Sequence, residues 1–243
     1  MHRQTRSHAA PPATDALIAA MPTTPGYPDS DLPYSKEESR IVKDLCRSLN
    51  LTPHAPDPTR DSILATLRHS AIFYYAGHFL IEANGGSMQS YLLLRNWMDW
   101  PLAMYNLLEL RRESRSQPFL AYLSACSTGK TAESTLLNKA AHFMSFFQQA
   151  GFRHIIRTLW PVSDRASIEM ARTVYQMLVE EGMVNGVVVK ALHQAMQALR
   201  DASNSSMLAA SGERDPKQMR SRNKKPAHQN REFGWVPYFK YGI

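Results

Sequence analysis

The feature that most constrains this chain is an alternation. Short apolar runs rich in branched and aromatic residues recur along it, and most are followed or preceded by a longer stretch whose apolar residues fall at helical spacing. ALIAAM (16–21) precedes SKEESRIVKDLCRSLN (35–50), where Ile41, Leu45 and Leu49 mark one face and Ser35 is the expected N-cap. TRDSILATLRHS (59–70) reads as a second helix before AIFYYAG (71–77), a run apolar enough for a strand buried on both faces. SYLLL (90–94) reads as a strand, PLAMYNLLELRRES (101–114) as a helix, PFLAYLSA (118–125) as a strand and LLNKAAHFMSFFQQAG (136–151) as a helix with a glycine stop. FRHIIRTLW (152–160) is a further strand, followed by helices over 163–182 and 186–203 and a last strand in WVPYFKYGI (235–243). Strands separated by helices of a dozen or more residues need crossover connections, which are right-handed. The predicted fold is therefore α/β, a sandwich with a mainly parallel central sheet and helices on both faces.

A chain of 243 residues suits one large domain, expected over 15–243. Residues 1–14 are polar, end in HAAPPATD and read as a flexible N-terminal segment, and NGG (84–86) reads as a turn. Residues 204–232 are polar, basic and without periodicity, and are expected to form a disordered loop. The formal charge of +7 would suggest a nucleic-acid partner if the surplus lay on a folded face. Between Glu213 and Glu232, however, seven basic residues stand against three acidic ones without interleaved aromatics, so no nucleic-acid partner is expected. No apolar run reaches the roughly 18 residues that span a bilayer, and MHRQTRSHAA lacks the apolar core of a secretory signal. The expectation is a cytoplasmic protein without a membrane partner. Cys46 and Cys126 are the only cysteines and lie in unlike contexts, so both are expected to stay reduced. Cys46 belongs with the packed face of its helix, which leaves Cys126 for chemistry.

Ligands of open parallel sheets sit outside the carboxyl ends of strands, and two such ends carry reactive groups. One delivers His78 after Gly77; the other delivers Cys126 within Ser124-Ala125-Cys126-Ser127-Thr128-Gly129. A thiol is a useful nucleophile only as thiolate, and an imidazole within hydrogen-bond reach can take its proton. The two are 48 residues apart, close to the interval of about 50 in caspase-type sites. Gly77 and Gly129 permit close backbone approach, and an oxyanion there would draw on the N–H of Cys126 and of the turn after His78. The plainer alternative is a packed cysteine and a hydrogen-bonded core histidine. A third reading takes SACSTGKT (124–131) as a nucleotide-binding loop, since it departs from G-x-x-x-x-G-K-[ST] only at Ser124, with Asp164 as the metal-holding acid. His142 and His193 fall on predicted helices and read as packing or surface residues. With neither H-E-x-x-H nor paired C-x-x-C, no metal and no cofactor are expected.

In order along the chain, AIFYYAGH, SYLLLRNW, PLAMYNLLEL, PFLAYLSACSTG, QQAGFRHIIRTLWPVSD, ALHQAMQALRD and WVPYFKYGI resemble the CHAT domain, the caspase-like peptidase module of the separase and caspase clan, in particular its fungal forms. AMPTTPG (20–26) is similar to the family's opening segment, so the likeness covers about residues 15–243. What it implies is a caspase-hemoglobinase fold and a cysteine peptidase with His78 and Cys126 as its dyad. Gly77, Phe79 and Cys126 would supply the backbone of an oxyanion site. The turn from Leu159 to Asp164 would line the pocket for the side chain before the cleaved bond, with Trp160 as a wall and Asp164 selecting a basic residue. Asp164 equally suits the N-terminus of the helix after it. Two departures from the family stand out: Phe79, where Gly is usual after the dyad histidine, and Asn138-Lys139, where an acidic pair is common. If that turn needs positive φ, Phe79 costs about 1–2 kcal/mol. The implied partners are a protein or peptide substrate and a repeat-containing or nucleotide-binding sensor protein. The alternative is a catalytically impaired CHAT pseudo-protease acting as an interaction module.

Overall fold

The computed structural model describes residues 13–80, 90–113, 117–127, 144–158, 164–212 and 238–242. Along the chain these give β1 (Asp15–Ala20), α1 (Ser35–Ser48), β2 (Thr52–His54), α2 (Arg60–Leu67), β3 (Ser70–Leu80), β4 (Tyr91–Leu92), β5 (Leu102–Ala103) and α3 (Met104–Glu113). Then come β6 (Leu120–Ser127), helical turns over 144–149 (α4), β7 (His154–Thr158), α5 (Asp164–Glu181), α6 (Asn185–Gly212) and β8 (Tyr238–Gly242). The sheet runs β2-β1-β3-β6-β7-β8. All neighbours on this path are parallel except β7 and β8. β4 adds antiparallel to the end of β3, and β5 pairs with β4.

The period of two along each strand sorts its residues between two cores. Ala16, Ile18, Ile72, Tyr74, Leu120, Tyr122 and Ile156 pack with α1, α5 and α6. Leu17, Ala19, Phe73, Tyr75, Phe79, Leu123 and Ile155 pack with α2, α3 and α4. Covering both faces is what makes the strand sequences continuous apolar runs, and the predicted α/β sandwich with a mainly parallel sheet is the one observed. Cys46 is buried in the first core, where desolvation pushes its thiol up to about 12. Its packing role stands. The expected glycine stops are also present, with Gly151 and Gly182 at φ +102° and +88°.

Local differences have local reasons. Ser35 does not cap α1: Tyr34 occupies that position with helical φ and ψ, so the turn is already under way, and the Ser35 hydroxyl is buried without a hydrogen-bond partner among the described residues. The SYLLL strand shrinks to Tyr91–Leu92: the Leu93 N–H still reaches the carbonyl of His78 in the same antiparallel register, but the Leu94 N–H folds back on that of Leu92. β2 and β5 are too short to show periodicity in sequence. The last helix does not stop at residue 203 but continues to Gly212, so 204–212 is helical instead of loop. Met207, Leu208, Ala209 and Ala210 are good helix formers, and a helix already propagating carries through Asn204-Ser205-Ser206. The remainder of the expected basic loop, 213–232, lies outside the described residues, as do NGG (84–86) and residues 1–12. No helix among the described residues is long and apolar enough to cross a membrane.

Candidate active site

Strands β1 and β2 succeed one another in one direction across the sheet, whereas β3, β6 and β7 succeed one another in the other. The order reverses between β1 and β3, and crevices at such a switch point open at the carboxyl ends of the strands. β3 and β6 pair without interruption from Ile72 with Leu120 to Phe79 with Ser127, which sets His78 opposite Cys126. Neighbouring strands lie about 4.8 Å apart, and paired positions in a parallel ladder share one face of the pleat. The ladder with β1 stops earlier, at Ala20 with Ala76, and that with β7 runs to Leu123 with Arg157 among the described residues. β3 thus carries His78 past the end of β1 toward the carboxyl rim, with Cys126 at the same level. β3 is longer than its apolar run suggested and β6 is shifted two residues onward, so both residues belong to the ladder itself.

His78 is buried, with 6% of its surface exposed. Its Nε2 lies 2.7 Å from the carbonyl oxygen of Ser30. A carbonyl only accepts, so Nε2 carries the proton, and in the neutral ring the lone pair is on Nδ1. Nδ1 is buried and has no hydrogen-bond partner among the described residues. The ring is therefore held in the tautomer of a base. Ser30 is the functional group that sequence reasoning missed, because a backbone carbonyl leaves no mark in residue identity. The only signal was the turn-rich PTTPGYPDSD following β1. The peptide of His78 is fixed as well: the Tyr75 hydroxyl donates to the carbonyls of His78 at 2.7 Å and Leu93 at 3.2 Å, and the Leu93 N–H donates to His78 at 2.9 Å.

The pattern of the CHAT domain matches residues 2–242, nearly the whole chain. The chain belongs to the CHAT domain family. Among solved structures it is similar to gingipain R (RgpB), an Arg-specific cysteine proteinase, at 13% identity and a TM-score of 0.47, covering 76% of this chain and 42% of that one. It is also similar to the complex of Porphyromonas gingivalis RgpB pro- and mature domains, at 14% identity and a TM-score of 0.45, covering 76% and 43%. The chain thus spans about two fifths of the length of these solved chains. Comparison with curated proteins gave no match.

In this CHAT domain the glycine before the histidine has a packing reason. A Cβ on Gly77 would lie 2.5 Å from Cζ and Oη of Tyr75, so the bare glycine is the seat of that ring. On that face the space beside Gly77 is taken by the Tyr75 ring. The condition for strain at Phe79 is not met: the only residue other than glycine with left-handed φ among the described residues is Asn50. The Phe79 ring is buried beneath the Arg157 guanidinium, 4.1 Å from the ring centroid, and Arg157 in turn donates from Nε to the Thr158 carbonyl at 3.0 Å. The Phe79 backbone stands between Leu92 of β4 and Ser127 of β6, so its N–H lies in the plane of the sheet.

The remaining sequence candidates separate clearly. Asp164 is the first residue of α5, the end at which a negative charge is favoured by the helix dipole. His193 lies on the exposed side of α6, with its Nε2 2.9 Å from Nε2 of Gln197. Ser124 to Ser127, the first half of the SACSTGKT stretch, are strand residues paired with Ala76 to Phe79, and Thr128 to Thr131 lie outside the described residues. Trp160, Gly129, His142, Asn138 and Lys139 lie outside the described residues.

Proposed function

We propose that this CHAT domain is a cysteine endopeptidase in which Cys126 is the nucleophile and His78 the base. The observation that carries the reading is the register of His78 opposite Cys126 at the rim, with the imidazole proton committed to the Ser30 carbonyl. Nδ1 of His78 takes the thiol proton, and the thiolate attacks the carbonyl carbon of the scissile peptide. A C–S bond forms and the carbonyl oxygen becomes an oxyanion, assigned to the backbone N–H of Cys126, with the strand ends at Gly77 and Phe79 as the adjoining wall. The amine leaves with the proton from His78. Water, deprotonated by the same imidazole, then cleaves the thioester and restores the thiol. Trp160 and Asp164 are assigned to the pocket for a basic residue before the cleaved bond, so the substrate is a polypeptide cut after Lys or Arg.

A thiol-reactive peptide probe ending in Arg or Lys tests this directly. It should label the wild-type chain and leave Cys126→Ala unlabelled, because the other thiol, Cys46, is buried and held protonated. Labelling that persists in Cys126→Ala overturns the assignment. The competing reading, an impaired CHAT module that binds partners without cutting them, draws on the burial of His78 and requires the wild-type chain to leave the probe unreacted.

A further inference from the structure

His78 is held from two sides, and one distant residue joins the two holds. Its carbonyl accepts the Leu93 N–H, and its Nε2–H donates to the Ser30 carbonyl. Four residues beyond Leu93 is Trp97, whose indole N–H donates to the carbonyl of Pro25 at 2.9 Å. Five residues beyond Pro25 is Ser30. The contacts therefore close a circuit: imidazole, Ser30, Pro25, Trp97, Leu93 and back to the peptide of His78. The ring of Tyr27 packs against that of Trp97 with centroids 5.9 Å apart. Between Pro25 and Tyr27, Gly26 takes φ +83° with the Met98 methyl against its open side, so the turn is pressed onto the Trp97 segment at two further points.

The geometry points to Trp97 as a positioning residue for His78, one that fixes the Ser30 carbonyl beneath the imidazole. The role rests on the reading of His78 as base. An indole is suited to it. It offers one donor and no acceptor, so it satisfies the Pro25 carbonyl without competing for the His78 proton, and its large face immobilises the turn by packing. The turn has bonds of its own, Tyr27 N–H to Thr24, Ser30 N–H to Tyr27 and Leu32 N–H to Pro22, which keep its shape. Its start is tied to β3 by the Met21 N–H on the Ala76 carbonyl at 2.7 Å, two residues before His78, and Trp97 adds the tie at Pro25, further along toward Ser30.

The test uses the full chain labelled with nitrogen-15 and follows exchange of the His78 Nε2 proton with water, assigned by its loss in His78→Gln. Trp97→Phe keeps an aromatic face and removes the N–H; Gly26→Ala strains the same turn at φ +83° and against the Met98 methyl while leaving the Trp97 N–H in place. Each should speed this exchange about fivefold or more, the equilibrium equivalent of one net hydrogen bond, while leaving exchange of the Tyr122 amide in the sheet unchanged. Unchanged Nε2 exchange in the two variants overturns the proposal, and so does equal acceleration at His78 and Tyr122, which marks mere loss of stability. If Trp97→Phe fails to fold, Gly26→Ala decides alone. Alkylation of Cys126 separates this inference from the peptidase reading. It should slow in Trp97→Phe and His78→Gln alike. If it is unaffected in His78→Gln while Nε2 exchange still responds to Trp97, the base assignment falls and the circuit stands.

Discussion

Replacing Gly77 with alanine should destabilise the protein through one neighbour, the phenol of Tyr75. The new methyl carbon would meet Cζ and Oη of that ring at 2.5 Å, about an ångström inside ordinary contact. Tyr75 has no room to yield, since it is fully buried, stacked on Phe73 at 6.3 Å, and hydrogen-bonded through Oη to the carbonyls of His78 and Leu93. Overpacking of this kind costs about 1–3 kcal/mol. Moving a buried hydroxyl off its acceptors adds about 1–3 kcal/mol. Gly77 is not left-handed, so alanine would recover about 0.4–1 kcal/mol by restricting the unfolded chain. The net expectation is a loss of about 3 kcal/mol in urea unfolding followed by circular dichroism. In a Tyr75→Leu background the obstacle is gone, and the same substitution should cost less than about 1 kcal/mol, giving a coupling near 2 kcal/mol. Additive costs, or a wild-type background that tolerates alanine within about 0.5 kcal/mol, would refute the packing account. A stable Gly77→Ala chain that no longer reacts with the peptide probe would return the glycine to ligand approach.

Three further outcomes follow from other buried groups. His154 is buried, and desolvation is the main cause holding its imidazole below the ordinary 6.5, with its bond to Asn185 opposing and Lys240 and Arg153 adding to the shift. The unfolded chain therefore binds the proton more readily: His154 contributes fully above pH 6.5, and stability falls as pH drops below it, a slope that His154→Phe should flatten in urea midpoints taken from pH 7.5 to 5. Phe79→Gly installs the residue usual in the family and should nevertheless cost about 3–5 kcal/mol, because it empties a buried site and removes the face under Arg157; a raised melting temperature would contradict this. Cys46→Ser should cost about 1–3 kcal/mol by placing a hydroxyl in an apolar core, and native Cys46 should resist iodoacetamide at pH 8, as read by peptide mass mapping.

The framework was legible because burial on both faces writes itself into composition. AIFYYAG and PFLAYLSA have no polar alternation, which only a covered parallel strand tolerates, and the helical stretches between them leave few other topologies. The limits of the elements were less legible for the same reason. β3 and β6 run on through His78 and Cys126 because each supplies the other's ladder, and no local propensity in Gly77-His78-Phe79 or Ala125-Cys126-Ser127 announces that mutual support. At the far end of the chain, Asn204-Ser205-Ser206 looks like loop by composition, yet the residues after it favour continuing a helix.

Side chains that carry chemistry by their identity can be picked out of a sequence; groups that act through the backbone cannot. The imidazole of His78 was a candidate at once, but its value as a base depends on which nitrogen is protonated, and a carbonyl at Ser30 settles that. Any residue except one that distorts the turn would present the same oxygen there. On the proposed reading, the tautomer therefore depends on what places the turn, Gly26 and Trp97, more than on the identity of Ser30. Gly77 follows the same logic in reverse, since its lack of a side chain is written in the sequence while the Tyr75 ring that requires it is found only in the packing. A substitution at Ser30 that keeps the turn, such as Ser30→Ala, should consequently leave the His78 Nε2 exchange rate as it is, whereas Trp97→Phe, 19 positions beyond the histidine in sequence, should not.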